Sequence, residues 1–590
     1  MATQQPSGNP ADDIPLTPEQ RIGQAQALHR QGQAGRATAL CQQILQQQPG
    51  MVAARQLLAV ILREQGQLAQ ADALLTGLLK QLPQSPELMY EMALLRYEQG
   101  QPAVAQQLLQ RVVQLKPGHA FAHMVLGRLL DRQGEVGRAR FHLQRAYELR
   151  PEDETICKDL GGVLRRLGHL DHAVHYYRVA WSLNHDYAEA LLGWARLEEG
   201  RNNLERAAEL VGFARRRAMD ELLVDLTEGL VLRRQGNLDE ALTLLAPEKV
   251  EKCNASLRSA WERERGNILD RMGRYDEAFA AYQEAARIGR EEQGLVYQAE
   301  GNRILFDRLH DYFKRERIDV LPRAGKGKRE EEGPIFVVGF PRSGTTMVEQ
   351  ILASHPNIVA GDEMHAVAQL AGETPQRLKS KSPYPECLDT LTGTQGERLV
   401  QGLRDSFTRM VQLHGVMEPG KGRYTDKTPL NETHLGLLHL LFPEAPLVHL
   451  IRHPLDVVLS SFFNDVRHGG HFASRLEDTA RHYAMTMDMV QQYRDELDLN
   501  YLPLRYEDLV DEQETNTRKL LEFVGEPWHE GCLEFHRNKR EARTASYAQV
   551  KEKLYTRSRF RYKNYRAHLD SIIPILEPHI ERLGYSVDGD

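Results

Sequence analysis

Hydrophobic periodicity divides the chain into two regimes. Up to about residue 293 apolar residues recur at helical spacing, punctuated by turn and small residues. Pro49, Pro83, Pro117 and Pro151 lie 34 residues apart, as do Gly32, Gly66, Gly100, Gly134 and Gly168. Ala37, Ala71, Ala105, Ala139, Ala173, Ala207 and Ala241 keep the same period, and Ala278 closes an eighth unit after a longer step. Such a period holds two helices, with Gly in the turn, Ala where the helices cross and Pro after the second helix. Units with a marker missing, His185 where Pro is due and Asn202 where Gly is due, are expected to keep the geometry. Thr17-Pro18-Glu19-Gln20 opens the first helix, with Thr17 as N-cap and Gln20 closing a capping box. Beyond residue 333 the pattern changes to short apolar runs, Ile335-Phe336-Val337-Val338, then 446–451 and 502–504, each broken by turn residues and followed by helical spacing. These predict strand, loop and helix in alternation, hence an α/β region with a central parallel sheet.

The predicted organisation is a disordered tail (1–16), a helical solenoid of about eight repeats (17–293), a connecting helix and linker (294–333) and an α/β domain (334–590). A chain of 590 residues exceeds what one core usually holds. The repeat resembles the tetratricopeptide repeat (TPR), whose stacked helix pairs present a concave groove for an extended peptide or a partner's helix. A protein partner in that groove, or a second copy of the chain as a homodimer, is therefore an expectation. Trp181, Trp194 and Trp261 read as packing residues, and the basic cluster between Pro322 and Gly333 as a solvated linker.

Charge narrows the partners. A net charge of -7 with 27% charged residues gives no general affinity for nucleic acid or an acidic membrane, so any anion site is local. Cys41, Cys157, Cys253, Cys387 and Cys532 are scattered and read as reduced thiols. The polar N-terminus and the lack of a run of about 18 apolar residues predict a cytoplasmic protein without membrane contact. His434, His439, His449 and His453 place no pair on one helix face, so no metal is expected.

The candidate chemistry begins at Gly339-Phe340-Pro341-Arg342-Ser343-Gly344-Thr345-Thr346. A loop between strand and helix N-terminus suits an anion, and the spacing of Gly339 and Gly344 is that of a Walker loop. Thr345 stands where an NTPase carries Lys, which disfavours ATP. Glu363, at the end of the short strand read at 357–360, is a candidate general base, with His365 as its rival.

Pro341-Arg342-Ser343-Gly344-Thr345-Thr346, Ala353-Ser354-His355-Pro356 and Gly361-Asp362-Glu363 resemble, in order and spacing, the sulfotransferases that use 3'-phosphoadenosine 5'-phosphosulfate (PAPS). The similarity is greatest to tyrosylprotein sulfotransferases and the repeat-fused bacterial type, and it runs over roughly 334–569. It implies an α-helical TPR solenoid followed by an α/β P-loop-like sulfotransferase domain, with PAPS as co-substrate. It also implies roles for single residues. Arg342, Ser343, Gly344, Thr345 and Thr346 would hold the 5'-phosphosulfate, and Glu363 would be the base. Lys427, in Tyr424-Thr425-Asp426-Lys427-Thr428-Pro429, would act with Arg342 at the bridging oxygen. Arg452 and Ser460 would bind the 3'-phosphate, Tyr506 would lie near adenine, and a C-terminal cofactor flap would bring Ser546 to the transition state or the nucleotide and Arg559 and Arg561 to the 3'-phosphate. Two positions depart from the tyrosylprotein pattern, His365 and Asn464, where those enzymes carry Arg. The acceptor would be a protein, carbohydrate or small molecule bearing a hydroxyl. The competing readings are a repeat scaffold with an inactive nucleotide domain, and a P-loop kinase.

Overall fold

The computed structural model describes residues 17–588, apart from 134, 218–220, 295, 326–332, 417–421, 465, 467–470 and 539–557. The expected tail, Gly134, most of the linker's basic cluster and Ser546 lie outside the described residues. The chain forms two compact units, Met1–Trp194 and Ala195–Asp590.

The first unit is the repeat array. Pro18, Val52, Pro86, Ala120 and Glu154 open successive first helices, each 34 residues after the last, and Ala34, Leu68, Pro102, Val136 and Leu170 open their partners at the same interval. Thr17 caps the first helix, its Oγ1 accepting from the Gln20 N–H at 3.3 Å while its own N–H donates to Gln20 Oε1 at 2.8 Å. Ala37, Ala71, Ala105, Ala139 and Ala173 are fully buried where the paired helices cross. Gly32, Gly66, Gly100 and Gly168 all turn with φ between +72° and +75°, the left-handed region that glycine enters without cost.

The second unit starts with further helix pairs, ending in Ala255–Arg271 and Tyr275–Gln293. Asn202, standing where Gly was due, takes φ +64°, which Asn tolerates better than other side chains. The sequence reading sets a boundary after 293, but these last repeat helices share a compact unit with the α/β region. The cause is aromatic packing and capping. Tyr282 stacks on Phe463 at 4.0 Å and Phe279 on His568 at 4.2 Å. Arg263 donates to the Phe463 carbonyl and Arg290 to the Ser474 carbonyl, both at 2.7 Å. The connecting segment is helical over Ala299–Tyr312 and Arg315–Ile318.

Five strands follow: β1 (Pro334–Val338), β2 (Ile358–Val359), β3 (Arg423–Asp426), β4 (Leu447–Ile451) and β5 (Tyr501–Arg505). They form one parallel sheet in the order β2-β3-β1-β4-β5. β1 and β4 are buried along their length, as a sheet covered by helices on both faces requires. The chain leaves β1 toward one edge and β4 toward the other, so the crevice for a ligand lies at their C-terminal ends. Among the described residues no helix is long and apolar enough to cross a membrane.

Candidate active site

Each strand delivers candidate chemistry at its C-terminal end. After β1 the loop 339–344 leads into the helix Thr345–Ala353, with Arg342 at φ +74° and Gly344 at φ +106°. A Cβ on Gly344 would stand 2.8 Å from Tyr506 Cδ2, so only glycine lets the Tyr506 ring lie against the loop. Arg342 Nε donates to Ser460 Oγ at 3.2 Å, and Ser461 Oγ to the Pro341 carbonyl at 3.0 Å. The Gly339 N–H donates to Glu432 Oε2 at 3.3 Å. Arg342 is a non-glycine residue in a left-handed conformation, which costs about 1–2 kcal/mol and persists only where surrounding contacts fix it. Ser343 Oγ is buried and has no hydrogen-bond partner among the described residues.

Arg452 follows β4. Its Nη1 donates to the Arg342 carbonyl at 3.2 Å, and its Nη2 to Asp456 Oδ2 at 3.1 Å and to the Ser558 carbonyl. Its guanidinium lies over the Tyr506 ring, 5.0 Å from the centroid, which brings the end of β5 into the same crevice. Burial works against the cation, but Asp456, Tyr506 and Glu507 outweigh it and raise its pKa. Arg452 Nε is buried without a partner among the described residues.

On the other side of β1, Lys427 Nζ donates to Glu363 Oε1 at 2.8 Å. The Lys427 side chain is 1% exposed and that of Glu363 23%. Desolvation pulls the Lys427 pKa down, yet the carboxylates of Glu363, Glu349 and Asp362 prevail and raise it. Glu349 joins this floor to the loop: it sits on the helix Thr345–Ala353, and its Oε1 accepts from Thr425 Oγ1 at 2.8 Å and from the Asp362 N–H at 3.0 Å. Burial pushes Asp426 up to about 6 and Glu432 to about 7. His365, at φ +53°, donates its N–H to Thr428 Oγ1 at 3.3 Å.

Arg342, Ser343, Gly344, Arg452, Ser460 and Tyr506 are thus brought together, and Glu363 is joined to Lys427. Thr345 and Thr346 lie buried in the first turn of the loop helix. Arg559 pairs with Asp511, the last residue of the helix Tyr506–Asp511. Arg561 pairs with Asp270 on the helix Ala255–Arg271. The sequence reading missed Glu349, whose signal was a carboxylate inside the apolar run Met347-Val348-Glu349-Gln350-Ile351-Leu352.

Comparison with known proteins bears on this geometry. Residues 334–530 match the family described as "Sulfotransferase family", and residues 28–93, 90–154 and 226–292 match tetratricopeptide repeats. The C-terminal α/β region is a sulfotransferase family domain, preceded by TPR repeats. An uncharacterized protein of Aquifex aeolicus is 30% identical over 323 residues, covering 54% of this chain and 41% of that protein. Protein-tyrosine sulfotransferase A of Caenorhabditis elegans is 26% identical over 212 residues, covering 36% of this chain and 54% of that one. Nodulation protein NoeE of Sinorhizobium fredii is 32% identical over 127 residues, covering 21% and 30%. The chain spans about half or less of the length of these curated relatives. The match to the sulfotransferase family begins at Pro334, the first residue of β1, and includes the ends of all five strands.

Proposed function

We propose that this chain transfers a sulfuryl group from PAPS to an acceptor hydroxyl. The observation that carries the reading is the convergence at the strand ends. One parallel sheet delivers Arg342, Glu363, Lys427, Arg452 and Tyr506 beside a glycine loop that lacks the lysine of an ATP site. The donors present suit a doubly phosphorylated nucleotide. Ser343 Oγ and Arg452 Nε are buried without partners among the described residues, a cost of about 1–3 kcal/mol each that an anion's oxygens would recover.

In this reading Arg452 and Ser460 bind the 3'-phosphate, Tyr506 flanks adenine, and the loop amides with Arg342 hold the 5'-phosphosulfate. The acceptor oxygen attacks sulfur in line while the bond from sulfur to the 5'-phosphate oxygen breaks. The Glu363 carboxylate takes the acceptor's proton. Lys427 and Arg342 face the charge that gathers on the departing phosphate, and favour the transition state over the ground state. The products are a sulfate ester and 3'-phosphoadenosine 5'-phosphate. A tyrosine in a protein is the acceptor we infer first: the relatives from Caenorhabditis elegans, Danio rerio and Drosophila melanogaster carry protein-tyrosine sulfotransferase names, and TPR grooves seat extended peptides.

Isothermal titration without magnesium tests the donor. Binding of 3'-phosphoadenosine 5'-phosphate, with none of ADP, is the expected result. Magnesium-dependent preference for ADP would revive the kinase reading, and binding of neither would favour the scaffold. Incubation with PAPS and a tyrosine peptide or an oligosaccharide then reads the acceptor, and sulfate on the oligosaccharide alone would overturn the tyrosine inference.

A further inference from the structure

We propose that Asp270, on the last helical repeat, is a positioning residue for the 3'-phosphate end of the nucleotide site. The proposal rests on the reading above that Arg452 binds this phosphate. Asp270 Oδ1 accepts from the Tyr565 hydroxyl at 2.5 Å, and the same carboxylate pairs with Arg561. Both partners belong to the 3₁₀ segment Arg561–His568. The hydrogen bonds of a 3₁₀ segment are poorly aligned, so contacts from outside decide where such a segment sits.

The same segment also reaches Arg452. The Tyr562 N–H donates to Asp456 Oδ1 at 2.8 Å, and the other oxygen of Asp456 accepts from Arg452 Nη2 at 3.1 Å. Just before the segment, the Ser558 carbonyl accepts from the same Nη2. Tyr562 also stacks on His453 at 4.3 Å, beside Arg452 in sequence. The direction of the Arg452 fork is therefore set by where residues 558–562 lie, and Asp270 anchors that stretch through Arg561 and Tyr565. A guanidinium recognises a phosphate through the geometry of its fork, and the groups that fix that geometry matter nearly as much as the ligating atoms. A second contact from the same helix acts in parallel. Arg263 caps the C-terminal end of the helix Pro454–Phe463, which carries Ser460, through its bond to the Phe463 carbonyl at 2.7 Å.

The test titrates the full chain with 3'-phosphoadenosine 5'-phosphate and with adenosine 5'-monophosphate, which lacks the 3'-phosphate. For Asp270→Asn the expected result is an affinity loss of about tenfold for the first nucleotide and none for the second, with partial recovery in Asp270→Glu. Asp276→Asn, which breaks the outer pair with His568, should leave both affinities unchanged. Equal losses for the two nucleotides, or an undiminished preference in Asp270→Asn, would overturn the proposal. If Asp270→Asn does not fold, Tyr565→Phe removes one donor to the same carboxylate and should cost about fivefold, again for the 3'-phosphorylated nucleotide alone; an unchanged preference there overturns it equally. A wild-type protein without preference for the 3'-phosphate would instead remove the functional reading beneath it.

Discussion

Lys427 sets the electrostatics of the site's floor. Its ammonium is buried among Glu349, Asp362 and Glu363, and those carboxylates hold it charged against desolvation. Removing the ammonium strands buried negative charge, so Lys427→Ala should lose about 3–5 kcal/mol of stability as well as turnover, read by urea denaturation beside an assay. Glu363 offers a cleaner test of chemistry, because its side chain is 23% exposed and an amide keeps its shape. Glu363→Gln is expected to bind 3'-phosphoadenosine 5'-phosphate normally and to lose about 100-fold or more in turnover. Near-normal turnover would remove Glu363 from the role of base. Glu432 adds a pH dependence. Burial raises it from 4.5 to about 7, so between those values the folded state binds more protons than the unfolded chain. Stability from this group is therefore full below pH 4.5 and declines as pH rises through 7. Glu432→Gln should gain about 1–3 kcal/mol on the wild type at pH 8 relative to pH 5. An equal difference at both pH values would show that Glu432 does not titrate this way.

Elements differ in how much of them local sequence reveals. β1, β4 and β5 were legible as apolar runs with turn chemistry behind them, and the strand-end motifs came with them. β3 was not, because Thr425 and Asp426 are polar and yet fully buried, with Thr425 Oγ1 donating to Glu349 and Asp426 Oδ1 accepting from Thr428 and Asn431. Only tertiary contact makes that stretch a strand. The basic run around Arg561 shows the same limit: its pairing with Asp270, on a distant repeat helix, is not legible in the run itself. The repeats were legible down to single residues through their 34-residue period, yet a second buried column of small residues, Ala25, Ala59, Ala93, Gly127 and Gly161, went unread. Asn202 tests the repeat turn. It holds φ +64° and its Oδ1 accepts from Arg234 Nη2 at 2.7 Å. Asn202→Ala loses both the tolerance and the bond, Asn202→Gly only the bond. Thermal unfolding should rank the wild type above Gly and Gly above Ala, with Ala about 1–2 kcal/mol below the wild type. Ala equal to Gly would mean that the turn carries no backbone strain.

At the scale of the molecule, the compact unit Ala195–Asp590 joins two sequence classes that the repeat period alone would separate. The joint is a shared core: Phe279, Tyr282, Phe463 and Tyr565 pack in one cluster of buried residues drawn from both. A fragment 195–590 keeps that cluster, whereas a fragment 294–590 exposes Phe463 and Tyr565 and leaves Arg561 without Asp270. Losing the burial of two aromatic rings costs about 1.5–3 kcal/mol each. At about 2–4 °C per kcal/mol for a chain of this size, the shorter fragment should melt about 10 °C below the longer one. Its affinity for 3'-phosphoadenosine 5'-phosphate should fall with it, because Arg452 loses the support reaching it through residues 558–562. Scanning calorimetry and titration on the two fragments decide the matter. Equal melting temperatures would make the last repeats an appended module, whereas a drop in both stability and affinity would make them a structural part of the sulfotransferase domain.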